Sequence, residues 1–331
     1  MRPPEFWDHA HGKDSAPVLR TLLLPLGVLY AALGNAKLKN AIPERVSVPV
    51  ICVGNLTMGG TGKTPVVRSL RERLAARGVH AHTLSRGHGG REPGPLRVDP
   101  ARHTHADVGD EPLLHALDGP AWIARDRCAG AKAAIAAGAG AILLDDGFQN
   151  GALAKDLSIL VFDAALGPGN CRVVPAGPLR EPLLVGLARA DLVVLMQPDE
   201  EKRAAPDWLA PFKGPIVNAA LMPSAAAPGG PLFAFAGIGR PHKFFEAVTR
   251  AGGMLIDGVA FPDHHVFTAS DLSMLQQHAA AHEARLITTE KDFARLPAAF
   301  RPRVAVFPVR VAFDDEALIE AALSSKLDAR A

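Results

Sequence analysis

From residue 47 onward, short apolar runs alternate with segments whose apolar residues recur at helical spacing. The runs at 47–53, 80–84, 121–124, 140–144, 158–163, 191–196 and 215–218 are predicted strands, and 64–77, 110–117 and 126–137 are predicted helices. Ala141-Ile142-Leu143-Leu144 is apolar at every position, the pattern of a strand covered by helices on both faces. The alternation predicts an α/β layer, a mostly parallel sheet with helices on both faces. Ligands on such a sheet bind beyond the strand C-termini. Residues 222–231, rich in Pro, Ala and Gly, read as a linker between a main unit at 46–221 and a smaller α/β unit at 232–331. The smaller unit has predicted strands near 232–237, 254–260, 285–289 and 304–308 and helices near 241–251 and 270–282. A last helix at 314–327 is free to pack on either unit.

The region 1–45 carries an apolar run from Val18 to Leu33, interrupted by Arg20, Thr21, Pro25 and Gly27. Read as broken at Pro25, it is too short to cross a hydrocarbon layer of about 30 Å. Acidic Glu5, Asp8 and Asp14 precede it without a small-residue cleavage site, which argues against a signal peptide. Lys37, Lys39 and Arg45 follow it. An apolar helix with cations at one end suits a membrane interface, and a helix packed on the protein's own core fits the same pattern.

The stretch from Gly54 to Pro65 changes the picture most. It joins a predicted strand to a predicted helix through Thr57-Met58-Gly59-Gly60-Thr61-Gly62-Lys63-Thr64. Backbone N–H groups of such a loop and the helix dipole cradle phosphates, the lysine adds a point charge, and the hydroxyl after it ligates Mg²⁺. This is a P-loop of the NTPase type, with Thr57 where the first glycine usually stands. The loop calls for a metal-organising acid at a neighbouring strand end. Asp145 and Asp146, directly after Ala141 to Leu144, supply two. Adjacent strand residues point to opposite faces, so one of the pair is expected to reach the metal. Asp110 and Glu111 lie between two predicted strands. Asp110 suits a helix cap with Pro112 in the first turn, or a base that accepts a hydroxyl proton during phosphoryl transfer. Pro262-Asp263-His264-His265 offers either a metal cluster or a histidine reaching across a cleft to Asp110. Arg86 and Arg180 provide guanidinium groups for phosphate.

Composition removes some classes of function. A net charge of +2 without a basic block gives no footprint for nucleic acid. Cys52, Cys128 and Cys171 are spaced for neither a disulfide framework nor a zinc site, which fits a reducing compartment. No protein partner is evident in the sequence.

The ordered motifs resemble those of the tetraacyldisaccharide 4'-kinase (lipid A 4'-kinase) family over nearly the whole chain. They comprise Leu-Leu-Leu-Pro-Leu at 22–26, Val-Gly-Asn-Leu-Thr-x-Gly-Gly-Thr-Gly-Lys-Thr-Pro at 53–65, Ser-Arg-Gly at 85–87, Gly-Asp-Glu-Pro at 109–112 and Asp-Asp-Gly-Phe-Gln at 145–149. Gly-x-Leu-Arg-Glu-Pro at 177–182, Ala-Gly-Ile-Gly-x-Pro at 236–241, Phe-Pro-Asp-His-His at 261–265 and Thr-Thr-Glu-Lys-Asp at 288–292 complete the set. The resemblance implies ATP- and Mg²⁺-dependent transfer of the γ-phosphate to the 4'-hydroxyl of tetraacyldisaccharide 1-phosphate, an acylated lipid, forming lipid IVA. It implies nucleotide binding by residues 57–64 and catalysis by Lys63, Asp110, His264 and Asp146. Thr64, Asp145, Glu111 and Glu181 are implied at the metal, and Arg86 and Arg180 at the substrate. A substrate with four acyl chains places the enzyme on the cytoplasmic face of the inner membrane, as a peripheral or monotopic protein held by the apolar leader. Two positions depart from the family pattern: Asn150 stands in place of a histidine and His88 in place of a tyrosine. A membrane-associated switch ATPase would share the loop, but its early loop lysine is replaced here by Met58. A kinase of a soluble small molecule would not need the Leu22 to Leu33 run.

Overall fold

The computed structural model describes residues 4–9, 12–199 and 203–328. Helix α1 (Pro17–Asn40) precedes strand β1 (Val50–Gly54), helix α2 (Lys63–Ala76), strands β2 (Ala81–Ser85) and β3 (Leu96–Arg97), and helices α3 (His105–Val108) and α4 (Asp110–Asp118). Next come β4 (Ala121–Ile123), α5 (Arg127–Ala136), β5 (Ala141–Asp145), β6 (Leu157–Asp163), α6 (Leu183–Leu187), β7 (Leu192–Gln197) and β8 (Ile216–Pro223). The smaller unit contains β9 (Pro231–Ala236), α7 (Pro241–Arg250), β10 (Met254–Ala260), α8 (Ala269–Ala281), β11 (Arg285–Thr289), α9 (Glu290–Arg295) and β12 (Val304–Phe307). The chain ends with β13 (Val309–Phe313) and α10 (Glu316–Asp328).

Nine strands form one sheet in the order β13-β8-β7-β6-β1-β5-β2-β4-β3. Its interior pairs are parallel, whereas β13 and β3 join the edges antiparallel. Period-two alternation sends Ile51 and Val53 to one face and Val50 and Cys52 to the other. The first pair packs with Val66, Leu70 and Leu74 of α2 and Ile319 and Leu323 of α10. The second packs with Ala131 and Ala134 of α5 and Leu187 of α6. The smaller unit is a parallel four-stranded sheet, β10-β9-β11-β12, with its own apolar cores.

Three expectations change here. The smaller unit does not run to the chain end: after Phe307 the chain returns, β13 pairs with β8 through Phe313 and Ala219, and α10 enters the core of the large sheet. Met222 and Pro223, read as linker, are the last ladder residues of β8. Pro25 does not break the N-terminal run either. The helix continues through it for 24 residues, about 36 Å at 1.5 Å per residue, and with a mean hydropathy of 1.6 over an 18-residue window it is long and apolar enough to cross a membrane. One face is docked, since a Cβ on Gly27 would meet the Val173 carbonyl at 2.9 Å. On the other face Val18, Leu22, Leu26, Leu29 and Leu33 recur at spacings that share a helix side and are exposed, Val18 to 73% and Leu22 to 70%.

The C-terminal edge of the large sheet is fixed by close packing at the ends of β1 and β5. Phe148 is buried against Gly54, where an added Cβ would come within 2.5 Å of the Phe148 Cβ. Gly54→Ala is therefore expected to destabilise the protein by about 1–3 kcal/mol through overpacking. Urea unfolding reads this directly, and an unchanged midpoint would contradict the packing argument.

Candidate active site

Residues 55–62 carry the chain from β1 to the N-terminus of α2. Gly59 (φ 113°) and Gly62 (φ 87°) lie in the left-handed region that favours glycine. The Asn55 Nδ2 donates to the Thr57 carbonyl at 2.8 Å and the Gly59 carbonyl at 3.3 Å, holding the turn from inside. Thr57 forms an antiparallel bridge with Leu179, flanked by bonds from Met58 N–H to the Pro178 carbonyl and from Arg180 N–H to the Leu56 carbonyl, both 2.7 Å. A β-branched residue suits that bridged conformation, so no glycine is required at position 57. Lys63, 7% exposed, opens the helix.

The two acids after β5 meet this loop by different routes. Asp145 is fully buried. Its Oδ2 accepts from His115 Nε2 at 2.8 Å and, weakly, from Thr64 Oγ1 at 3.4 Å, whereas its Oδ1 has no hydrogen-bond partner. Asp146 has φ 58°, which ends the strand alternation and brings its carboxylate to Lys63 Nζ (3.5 Å) and Arg180 Nη1 (2.9 Å to each oxygen). Both acids thus face the loop, where strand alternation alone would send one away. Burial works against the Asp146 charge, but Lys63 and Arg180 overcome it and hold the carboxyl below its ordinary range. Burial, followed by the Asp145 charge, pushes the Glu111 carboxyl up, with Lys63 opposing.

A second cluster joins the two units. Gly109 (φ 89°) occupies the cap position of α4, so Asp110 is its first helical residue and not the cap. Asp110 Oδ2 lies 2.9 Å from His264 Nδ1 and accepts from Arg295 Nε (2.8 Å) and Nη2 (2.7 Å). Arg295 is 5% exposed and also donates to the Gly237 carbonyl (3.0 Å) and Asp292 Oδ1 (2.9 Å). With the His264 Nδ1 proton donated to Asp110, its Nε2 is left as an acceptor facing Lys291 Nζ at 3.4 Å. Burial raises the Asp110 pKa, but the hydrogen bonds from His264 and Arg295 and their charges hold it well below the usual carboxylate range.

The remaining residues separate by their contacts. Glu181 has both oxygens taken, Oε1 by Gln149 Nε2 at 3.0 Å and Oε2 by Arg189. These contacts anchor the segment after β6. Arg86 is exposed at the end of β2, with no hydrogen bond or ion pair among the described residues. Asn150 Oδ1 accepts from the Ala152 and Leu153 N–H groups, so it caps a turn. Sequence reasoning missed Arg295 and His115. The Asp292 to Arg295 spacing is a helix ion pair that local pattern could have flagged. The contact from His115 to Asp145 carries no local signal.

Among the described residues, no three His, Cys, Asp or Glu side chains form a metal cluster. Mg²⁺ at nucleotide sites needs only one or two protein oxygens beside phosphate oxygens and waters. The orphaned Asp145 Oδ1 beside the Thr64 hydroxyl matches that need.

A family model described as Tetraacyldisaccharide-1-P 4'-kinase matches residues 19–328. The Tetraacyldisaccharide 4'-kinase of Maricaulis maris is 50% identical over 334 residues, covering 99% of this chain and 97% of the relative. That of Rhodospirillum centenum is 50% identical, covering 100% of this chain and 98% of the relative. The crystal structure of LpxK from Aquifex aeolicus in complex with ATP is similar with a TM-score of 0.73 and 26% identity, covering 93% of this chain and 99% of that one.

Proposed function

This chain belongs to the tetraacyldisaccharide-1-P 4'-kinase family, and from that membership we infer transfer of the ATP γ-phosphoryl group to the 4'-hydroxyl of tetraacyldisaccharide 1-phosphate, giving lipid IVA. The observation that carries this reading is the meeting of the phosphate loop with Asp145 and Asp146 on one unit while Asp110 is held by His264 and Arg295 from the other. Residues 59–62 supply backbone N–H groups to the phosphates, and the Lys63 ammonium supplies charge. Thr64 and Asp145 would hold Mg²⁺, which would supply neutralising charge to the phosphoryl oxygens. Asp146, gripped by Arg180, orients the Lys63 ammonium. Burial and the Asp145 charge push the Glu111 carboxyl up, a cost that a cation bound beside Asp145 would relieve. Asp110 receives the 4'-hydroxyl proton, and His264 fixes its carboxylate. Its depressed pKa makes it a weak base, which suits a loose phosphoryl-transfer transition state in which positioning dominates. Arg86 remains available for an anionic group of the substrate.

Incubation with γ-labelled ATP, Mg²⁺ and the acylated disaccharide 1-phosphate is expected to move label into the lipid fraction. ATP hydrolysis without lipid labelling would sink the reading.

The exposed apolar stripe of α1 supports docking of the protein on the cytoplasmic face of the inner membrane, where ATP is available. The double substitution Leu22→Glu and Leu29→Glu is expected to lower partitioning onto anionic vesicles by about tenfold or more, from the apolar area it withdraws. Cosedimentation equal to that of the unaltered protein would remove the helix as the anchor.

A further inference from the structure

We propose that His115 is a positioning residue for the divalent cation: its Nε2–H fixes the Asp145 carboxylate so that Oδ1 faces the metal. The inference rests on the reading above that Thr64 and Asp145 hold Mg²⁺. His115 is 1% exposed and Asp145 fully buried, and their 2.8 Å contact is much shorter than the 3.4 Å contact from Thr64. The other ring nitrogen, Nδ1, is buried without a partner. A proton there would be a donor with no acceptor, whereas a bare lone pair is less costly to leave unpaired. The ring proton is therefore assigned to Nε2, donating to Oδ2.

The backbone beneath the ring is also held. The His115 carbonyl belongs to the last turn of α4. It accepts from Arg71 Nη1 and Nη2, both at 3.1 Å, and from Gly119 N–H at 3.2 Å. Arg71 is itself 7% exposed. Glu111 and His115 are four residues apart and so share one face of α4, the face turned toward Asp145. The same short helix thus carries Asp110 at its start and the Asp145 clamp one turn later. With Oδ2 committed to His115, Oδ1 is the free acceptor of a carboxylate that has no solvent access.

The test uses magnesium-dependent nucleotide affinity, a readout separate from turnover. ADP binding is measured by calorimetry with and without Mg²⁺ for the unaltered protein, His115→Met, His115→Gln and Asp145→Asn. His115→Met removes the donor at similar size and is expected to reduce the Mg²⁺ enhancement of ADP affinity about tenfold or more, the usual effect of losing a partner of a metal-binding carboxylate. Metal-free ADP affinity should stay within about threefold, because the phosphate loop is untouched. His115→Gln, whose amide can still donate, should restore most of the enhancement. If His115→Met keeps the enhancement while Asp145→Asn loses it, the role of His115 is overturned. Equal losses in the Met and Gln variants overturn it too. If Asp145→Asn keeps the enhancement, the metal assignment itself has failed. Should His115→Met not fold, His115→Asn, whose donor arm is shorter by one methylene, takes its place. It should lose enhancement relative to His115→Gln, and equal values would overturn the proposal.

Discussion

Lys63→Ala is expected to reduce lipid phosphorylation by at least about 10²- to 10³-fold, the scale of removing one preorganised charge-stabilising group. The side chain is buried at the mouth of the phosphate loop and approaches Asp146 at 3.5 Å. Its ammonium is thus held by the strand-end acid that Arg180 grips from the opposite side. Removal deletes the point charge of the loop and leaves Asp146 to Arg180 alone. The loss should fall on kcat and on ATP affinity together, because the ammonium serves bound phosphate and transition state alike. Single-turnover labelling at saturating ATP measures the first and equilibrium ATP binding the second. Activity within tenfold of the unaltered enzyme would take Lys63 out of the mechanism.

Asp110→Asn is expected to lower kcat by about 10²- to 10⁴-fold, the range for a positioned general base, with little effect on ATP affinity. The amide keeps the shape but not the charge that His264 and Arg295 share. A second consequence concerns acid stability. The folded carboxyl titrates below its unfolded value of about 3.9, with burial opposing and the His264 and Arg295 bonds prevailing. The group therefore contributes stability that is fully present above pH 4 and is lost as pH falls through the lower folded value. Urea unfolding below pH 4 should show a shallower acid loss in Asp110→Asn than in the unaltered protein. Identical acid limbs would mean that the ion pair does not form in solution, and an unchanged kcat would remove Asp110 from catalysis.

Much of the fold is legible locally. Strands covered on both faces, such as Ala141 to Leu144, are apolar at every position, and the loop to α2 declares itself through Gly59, Gly62 and Lys63. The return of the chain is less legible. Val309 to Phe313 is a short edge strand whose partner, β8, lies some ninety positions earlier, and only its ladder with Ala219 to Pro223 identifies the sheet it joins. Pro25 suggests a break that the structure does not make, because a proline removes one helix bond and the remaining turns of an apolar segment continue. Within the site, motifs marked Asp110, His264, Asp145 and Asp146 and offered His264 as a partner of Asp110, a pairing seen at 2.9 Å, but they revealed neither Arg295 nor His115. Glu181 carries the chemistry of a metal ligand, and its contacts with Gln149 and Arg189 are legible only in the structure. Arg295 sits 185 positions from Asp110 and His115 sits 30 from Asp145, separations at which single-sequence patterns carry no signal.

The most direct measurement concerns where the phosphate lands. The 1-phosphate of the acceptor is glycosidic and leaves in mild acid, whereas a phosphate on the 4'-hydroxyl is an ordinary monoester and resists it. Lipid labelled from γ-labelled ATP should retain its label after mild acid removes the anomeric phosphate. Release of the label as inorganic phosphate would contradict transfer to the 4'-hydroxyl.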